Sequence, residues 1–347
     1  MAENDFALLI GNSDYGGELQ RLEGPPNDLS AFAQWLADER GAGLKPENIL
    51  VLADRVGELP DGVRRPCPAR WMDVYSQFFE VAEAAGNEQV DGKRRLWMLF
   101  AGHGNMPARQ FGIDPITACF VPQDWRRRQP NVGWIVPVEY LQLCANMFEP
   151  FDEIVVFMDC CRSETSELRE PARPFGITSG GAPPNREFVV ICAAQADRLA
   201  YERPIGGTVH GVFTASLLDG LKTLRGPGNR LSVGMLLDYV RNAYSRHFAD
   251  RRTKPEPELL DAESSTAFLL VGGEAAVSDV AFAAVQTPPG TYVQIVDGDE
   301  NVICGFALEV IPVVRKLKTG LYEVVDAGGA QIRMFKHTEA AGRTVDV

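Results

Sequence analysis

Two residues carry the chemistry that this sequence can offer: His103, in Phe100-Ala101-Gly102-His103-Gly104, and Cys161, in Met158-Asp159-Cys160-Cys161-Arg162. They lie 58 positions apart (161 − 103 = 58). A thiol with a pKa of about 8.5 is only a few per cent thiolate at neutral pH, and thiolate is the attacking form. An imidazole within reach can take that proton and return it to a leaving amine. Free cysteines are more often inert buried groups than nucleophiles, so the pair matters more than either member. Cys160 should alternate away from Cys161 into the core, and adjacent cysteines form a disulfide only with strain. A phosphatase loop is excluded, because Ser166 and Glu167 stand where an arginine would be needed six positions on.

Both residues follow short apolar runs, Arg95–Ala101 and Ile154–Met158, of the kind that forms a strand buried on both faces. In open α/β sheets, ligands bind outside the carboxyl ends of the strands. If these two strands are neighbours, imidazole and thiol meet at one edge. Further strands are predicted at Phe6–Gly11, Asn48–Ala53 and Glu187–Ala193. Helices are predicted after Pro25-Pro26 (Leu29, Phe32, Ala33, Leu36), over Pro68–Gly86 with Trp71, Val74, Tyr75, Phe78, Phe79 and Ala82 on one stripe, and over Val138–Asn146, Thr208–Leu224 and Ser232–Phe248. This alternation argues for an α/β fold, a doubly wound and mainly parallel sheet with flanking helices, reaching about Ala267–Val271. Beyond it, Pro288-Pro289-Gly290, Asp297-Gly298-Asp299 and Gly328-Gly329 punctuate short alternating segments, which read as hairpins of a small all-β domain. The expected division is 1–273 and 274–347. Two long loops, 105–136 and 162–186, interrupt the first part; Ile116–Val121 reads as half of a hairpin.

The chain has 347 residues, 45% of them apolar, and a formal charge of −13. That acidity argues against nucleic acid or an anionic membrane as the main partner. Met1–Phe6 lacks the basic start and apolar core of an export signal, and no run of about 18 apolar residues suggests a membrane span. The seven cysteines (Cys67, Cys119, Cys144, Cys160, Cys161, Cys192, Cys304) have no metal-ligand spacing and read as reduced thiols, so a cytoplasmic location is expected. His210, His247 and His337 read as surface or packing histidines, and Arg126–Arg128 as a solvated loop.

The order FALLIGN (Phe6–Asn12), Asn27-Asp28, FAGHG (Phe100–Gly104), MDCCRS (Met158–Ser163), FVVICAA (Phe188–Ala194) and GVFTASLLDGL (Gly211–Leu221) resembles the caspase-like cysteine peptidases, most of all their metacaspase and bacterial branch. The resemblance covers about Phe6 to Val271. It implies His103 and Cys161 as a catalytic dyad, Gly104 N–H with Cys161 N–H as oxyanion donors, and Asp28 and Asp159 as an S1 pair that selects Arg or Lys at P1. The bland alternative for Asp28 is a helix N-cap. The resemblance also implies a protein substrate and a role in stress, death or defence. It implies activation by cleavage in the 162–186 loop, by the enzyme itself or an upstream protease, with Arg169 and Arg186 the better sites and Arg173 disfavoured by Pro174. Ala101 replaces a usual serine, Pro25 a cysteine, and Arg162 and Glu164 a histidine and a glycine. No cofactor or metal is expected. Asp114 and Asp124 are the only carboxylates in the loop after His103, fewer than the six to eight oxygens calcium takes.

Two other classes remain. One is a catalytically silent homologue serving as a scaffold or sensor. The other is a flavodoxin-like binding module, against which stands the lack of a Gly-rich phosphate loop after Phe6–Gly11.

Overall fold

Apolar runs that cannot be solvated on either side become the strands of one sheet, and amphipathic segments cover its faces. The computed structural model describes residues 4–65, 67–87, 93–107, 118–126, 136–137, 150–165, 187–224, 231–248, 255–260, 269–271, 277–297, 302–318, 320–337 and 343–347. The chain divides into two compact units, Met1–Asp219 with Leu237–Ser264, and Gly220–Leu236 with Ser265–Val347. The second unit thus starts a few residues before the expected 273/274 boundary and takes in a segment from before it.

In the first unit, β1 (Phe6–Gly11), β2 (Ile49–Ala53), β3 (Arg95–Ala101), β7 (Glu153–Asp159) and β9 (Glu187–Cys192) are parallel, in the order β9-β7-β3-β1-β2. A two-residue strand, β13 (Glu258–Leu259), adds antiparallel to the β9 edge. The fold class is the expected doubly wound, mainly parallel α/β sheet.

Alternate residues face opposite ways along each strand. One face presents Leu8, Ile10, Leu96, Met98, Phe100, Val156 and Met158 to a core that includes Val74, Tyr75, Phe78 and Val81 of α2 (Trp71–Gly86). On the other face, Phe157 lies edge-on to Phe32 of α1 (Gly24–Ala37) at 5.8 Å and stacks on Trp97 at 6.3 Å, and Trp35 of α1 meets Trp97 at 5.5 Å. Prolines at the first turn of α1 need no backbone donor there and carry a φ suited to the helix. Phe79, expected on the buried stripe of α2, is half exposed instead; the helix buries Val81 and Ala85 while Phe79 points outward.

The helix expected over Thr208–Leu224 is two elements. Gly206 and Gly207 have φ of 62° and 90°, where a Cβ would be strained, and they turn β10 (Glu202–Ile205) back onto β11 (Thr208–Gly211) as an antiparallel hairpin. Only then does α3 (Val212–Thr223) begin. Helix α4 spans Val233–Arg246. The segment Ala267–Val271, read as the last strand of the main sheet, contains β14 (Leu269–Val271), which pairs with β12 (Leu231–Ser232) instead.

Ahead of those elements, β4 (Gly104–Pro107) pairs with β5 (Cys119–Phe120) and β8 (Glu164–Thr165), and β5 with β6 (Val136–Pro137). Thus Cys119–Phe120, the described strand within the apolar piece read at Ile116–Val121, is the middle of an antiparallel trio. The helix read at Val138–Asn146 lies outside the described residues.

In the second unit, β15 (Val277–Ala283), β18 (Val313–Lys318) and β21 (Arg343–Asp346) form one sheet. A second holds β16 (Tyr292–Asp297), β17 (Val302–Ala307), β19 (Gly320–Asp326) and β20 (Gln331–His337). Val280, Phe282, Val293, Ile295, Phe306, Tyr322 and Phe335 share one core. At the Gly328-Gly329 turn, Asp326 Oδ1 accepts the N–H groups of Gly328 (2.8 Å) and Ala330 (2.9 Å).

Phe157 bridges α1 and the sheet, so Phe157→Ala is expected to destabilise the first unit by about 3–5 kcal/mol. Urea unfolding followed by tryptophan fluorescence should show the midpoint fall with little change in slope.

Candidate active site

Two pairings bracket the residues singled out by their chemistry. Before them, β3 and β7 pair Ala101 with Asp159; after them, β4 and β8 pair Met106 with Glu164. Each partner is 58 residues from its mate (159 − 101 and 164 − 106), the same separation as between His103 and Cys161. The two therefore leave neighbouring strands at one level of the carboxyl edge. The approach there is close. A Cβ on Gly104 would overlap the Cys160 side chain and lie 2.8 Å from the Cys161 carbonyl oxygen, so only glycine fits.

His103 is held at three points. Its N–H donates to the Tyr15 hydroxyl (2.9 Å), its carbonyl accepts from Val121 N–H (2.9 Å), and its ring Nε2 bonds the Gln20 carbonyl oxygen (2.7 Å). A carbonyl can only accept, so Nε2 carries the proton and Nδ1 keeps a lone pair. Burial holds the imidazole below its usual pKa. The Cys161 thiol donates to the Ala200 carbonyl (3.7 Å), and burial raises its pKa. Both groups are thus neutral at rest. Each has a main-chain carbonyl as its polar partner, and they are not bonded to each other. Cys160 is buried in the core of the sheet face that packs on α2.

Asp28 and Asp159 are only 1% and 7% exposed, the depth at which an ionised carboxyl is costly. Asp28 lies within α1, whose N-cap is Glu23, so it is not the cap. Its Oδ1 bonds His210 Nδ1 (2.8 Å) and its Oδ2 accepts Gly211 N–H (2.9 Å). Asp159 Oδ2 accepts both the N–H (3.0 Å) and the hydroxyl (2.7 Å) of Thr214. A Cβ on Gly211 would overlap the Asp159 carboxylate and sit 3.0 Å from Asp28 Oδ2, so a glycine brings the two acids together. Burial pushes Asp28 up to about 6; burial, and then the Asp28 charge, push Asp159 up to about 7.

Three participants were not found from sequence. Glu202 Oε2 accepts the N–H groups of Glu23 (2.9 Å) and Gly24 (2.7 Å), capping α1 from across the fold, and its charge acts on Asp28, Asp159 and His103. His210, read as a surface or packing residue, is the partner of Asp28. Thr214 brings a hydroxyl to Asp159, the residue paired in register with Ala101. The Gly206-Gly207 turn signal could have exposed the hairpin that carries Glu202 and His210, but its second strand, Thr208–Gly211, reads in the sequence as the start of a helix.

Arg162 is buried, its guanidinium bonded to the Ala194 carbonyl (3.0 Å) and paired with Glu258. Asp124 accepts the Trp71 N–H (3.0 Å) and Asp114 lies outside the described residues. So do Arg169 and Arg186. Every described residue of this site belongs to the first unit.

No curated protein matches this chain. Among solved structures, protein GSU0716 from Geobacter sulfurreducens is similar at 17% identity, covering 74% of this chain and 92% of that one, with a TM-score of 0.45. Caspase-1 from Spodoptera frugiperda is similar at 11% identity, covering 75% and 87%, with a TM-score of 0.48. The family model for the caspase domain, Peptidase C14, matches residues 4–268. The chain therefore belongs to the caspase-domain family of cysteine peptidases.

Proposed function

We propose that the protein is a cysteine endopeptidase with a Cys161–His103 dyad and a preference for Arg or Lys at P1. The observation that carries the P1 reading is the pair of buried acids, Asp28 and Asp159, near which Glu202 adds a third charge. Among the described residues, no lysine or arginine bonds any of the three. Like charges this close oppose one another's ionisation until a cation arrives. A guanidinium or ammonium supplies it, through charge-assisted hydrogen bonds of roughly 1.5–3 kcal/mol each.

In the proposed reaction the Cys161 thiol turns from the Ala200 carbonyl toward the scissile carbonyl. His103 Nδ1 takes its proton while the Gln20 carbonyl, at Nε2–H, steadies the imidazolium that forms. Gly104 N–H and Cys161 N–H receive the oxyanion. Nδ1–H then protonates the leaving amine, and water, deprotonated by the same nitrogen, cleaves the thioester. A protein or peptide is the substrate, and no metal or cofactor enters these steps. None of the six described cysteines forms a disulfide, which supports a reducing, cytosolic setting. Among the described residues no helix is long and apolar enough to cross a membrane.

The Cys161–Ala200 contact and the raised thiol pKa favour one second reading, a silent homologue acting as a scaffold. A thiol-reactive peptidyl-arginine probe should label Cys161 in the enzyme and leave it untouched in the scaffold.

On fluorogenic peptides with Arg, Lys or Asp at P1, with and without calcium, the basic pair should be cut and the Asp peptide spared, without need of calcium. Cys161→Ala and His103→Ala should each abolish turnover. Because the cation binds the ionised acids, KM for the Arg peptide should fall as pH rises through about 6 to 7.

Asp159→Asn should lower kcat/KM for the Arg peptide by about 10–100-fold. The same change should stabilise the fold at alkaline pH. With its folded pKa raised from 3.8 to about 7, Asp159 binds a proton in the native state that the unfolded chain has lost, so stability declines across that window as pH rises. Thermal melts at acid and alkaline pH should show the variant gaining on the parent only at the higher pH.

Cleavage in the 162–186 loop, at Arg169 or Arg186, accompanies this reading as an activation step. Intact-mass analysis of an active preparation should show two fragments; a single chain of 38.1 kDa would remove the idea.

A further inference from the structure

We infer that Tyr15 is a positioning residue for His103, and that Asp54 holds the loop from which Tyr15 acts; this rests on the Cys161–His103 reading above. The segment between β1 and α1 touches His103 twice, through the Tyr15 hydroxyl at the backbone and the Gln20 carbonyl at the ring. Tyr15 is fully buried, in a small cluster with Cys119, Val121 and Trp125. Its ring stands edge-on to the imidazole, centroids 5.0 Å apart at 64°. Its oxygen lies 2.7 Å from the point a Cβ on Gly102 would occupy, and Gly102 has a φ of 155°. The phenol therefore fills the space that shapes the Gly102-His103-Gly104 turn, on which both the base and one oxyanion donor ride.

The loop is itself tied down. Asp54, just past β2, accepts the N–H of Ser13 through Oδ1 and of Asp14 through Oδ2, both at 2.9 Å. Leu22 N–H then closes onto the Ser13 carbonyl (3.0 Å), which sets the path that brings the Gln20 carbonyl to the ring. Asn12, at the start of the loop, bonds the carbonyls of Ala101, Ala69 and Val121 through its main chain and its amide. A carboxylate two strands from the imidazole thus orients it through main-chain geometry rather than by contact.

Removing the hydroxyl keeps the ring and its packing but leaves the partly buried His103 N–H without its side-chain partner, so the turn relaxes. A displacement of about 1 Å in a catalytic group costs about 100-fold in rate. The experiment compares the parent with Tyr15→Phe, Asp54→Asn and His103→Ala. Alkylation by iodoacetamide is followed across pH, with the product quantified at Cys161 and, as an internal control in the other unit, at Cys304. Peptide kinetics are measured in parallel.

Tyr15→Phe should lower kcat by about 10–100-fold with KM within about twofold. It should also move the pH profile of Cys161 alkylation toward that of His103→Ala and leave Cys304 unchanged. Asp54→Asn should shift both readouts the same way, and decides the matter if the tyrosine variant does not fold. Parent-like kcat and alkylation in both variants, or a KM rise at constant kcat, would overturn the assignment. A His103→Ala variant with the parent's alkylation profile would be a different failure, that of the dyad beneath it.

Discussion

The register between two parallel strands is the constraint on which the site depends. Ala101 is paired with Asp159 through a continuous ladder from Arg95 and Glu153 onward, and a slip by one residue would turn every side chain of one strand to the opposite face. Leu96, Met98 and Phe100 against Ile154, Val156 and Met158 would then leave the core they share with α2. Hydrophobic burial thus sets the level at which the two chains leave the sheet. The short pairing of Met106 with Glu164 keeps that level through the turns. The placement of His103 and Cys161 therefore depends on packing several residues away.

The buried acid pair shows the opposite case. Asp28 and Asp159 are buried where an apolar pair would be more stable, and Gly211 admits them because it has no side chain. What tolerates this arrangement is a set of directed donors: Gly211 N–H, Thr214 N–H and hydroxyl, and His210 Nδ1. The donors hold the carboxyls in place without cancelling their charge, and the raised pKa values express the remaining cost. Glu202 adds to that field while satisfying the first N–H groups of α1, a helix end with no side-chain cap of its own. One hairpin, β10–β11, brings both Glu202 and His210, so the start of α1 and the acid pair are held by one element.

The described parts of the long segments that follow His103 and Cys161 form a small sheet of their own. The strands leaving His103 and Cys161 pair with one another, and Cys119-Phe120 adds a further strand. Arg162, buried directly after Cys161, anchors that stretch of chain to Glu258 and to the Ala194 carbonyl. Both reactive side chains therefore leave rigid elements and are followed at once by tied backbone.

The strands and their order of chemistry were legible in the sequence because continuous apolar runs ending in polar residues have few other solutions; Phe6–Gly11 and Arg95–Ala101 form where the runs lie. His103, Cys161 and Asp159 could be named from their place at those ends, whereas Asp28, inside α1, could be named from the family resemblance alone. The sequence also carried the change from α/β alternation to hairpin punctuation near residue 275. Only the tertiary structure decided which partners those residues have. Glu202, His210 and Tyr15 reach the site across separations of up to about 180 residues, and no local period or turn signal encodes such contacts. A main-chain carbonyl such as that of Gln20 is common to every residue type, so its role cannot be read from a letter. Local chemistry is written in the order of side chains; the contacts that tune it depend on where folding brings distant backbone together.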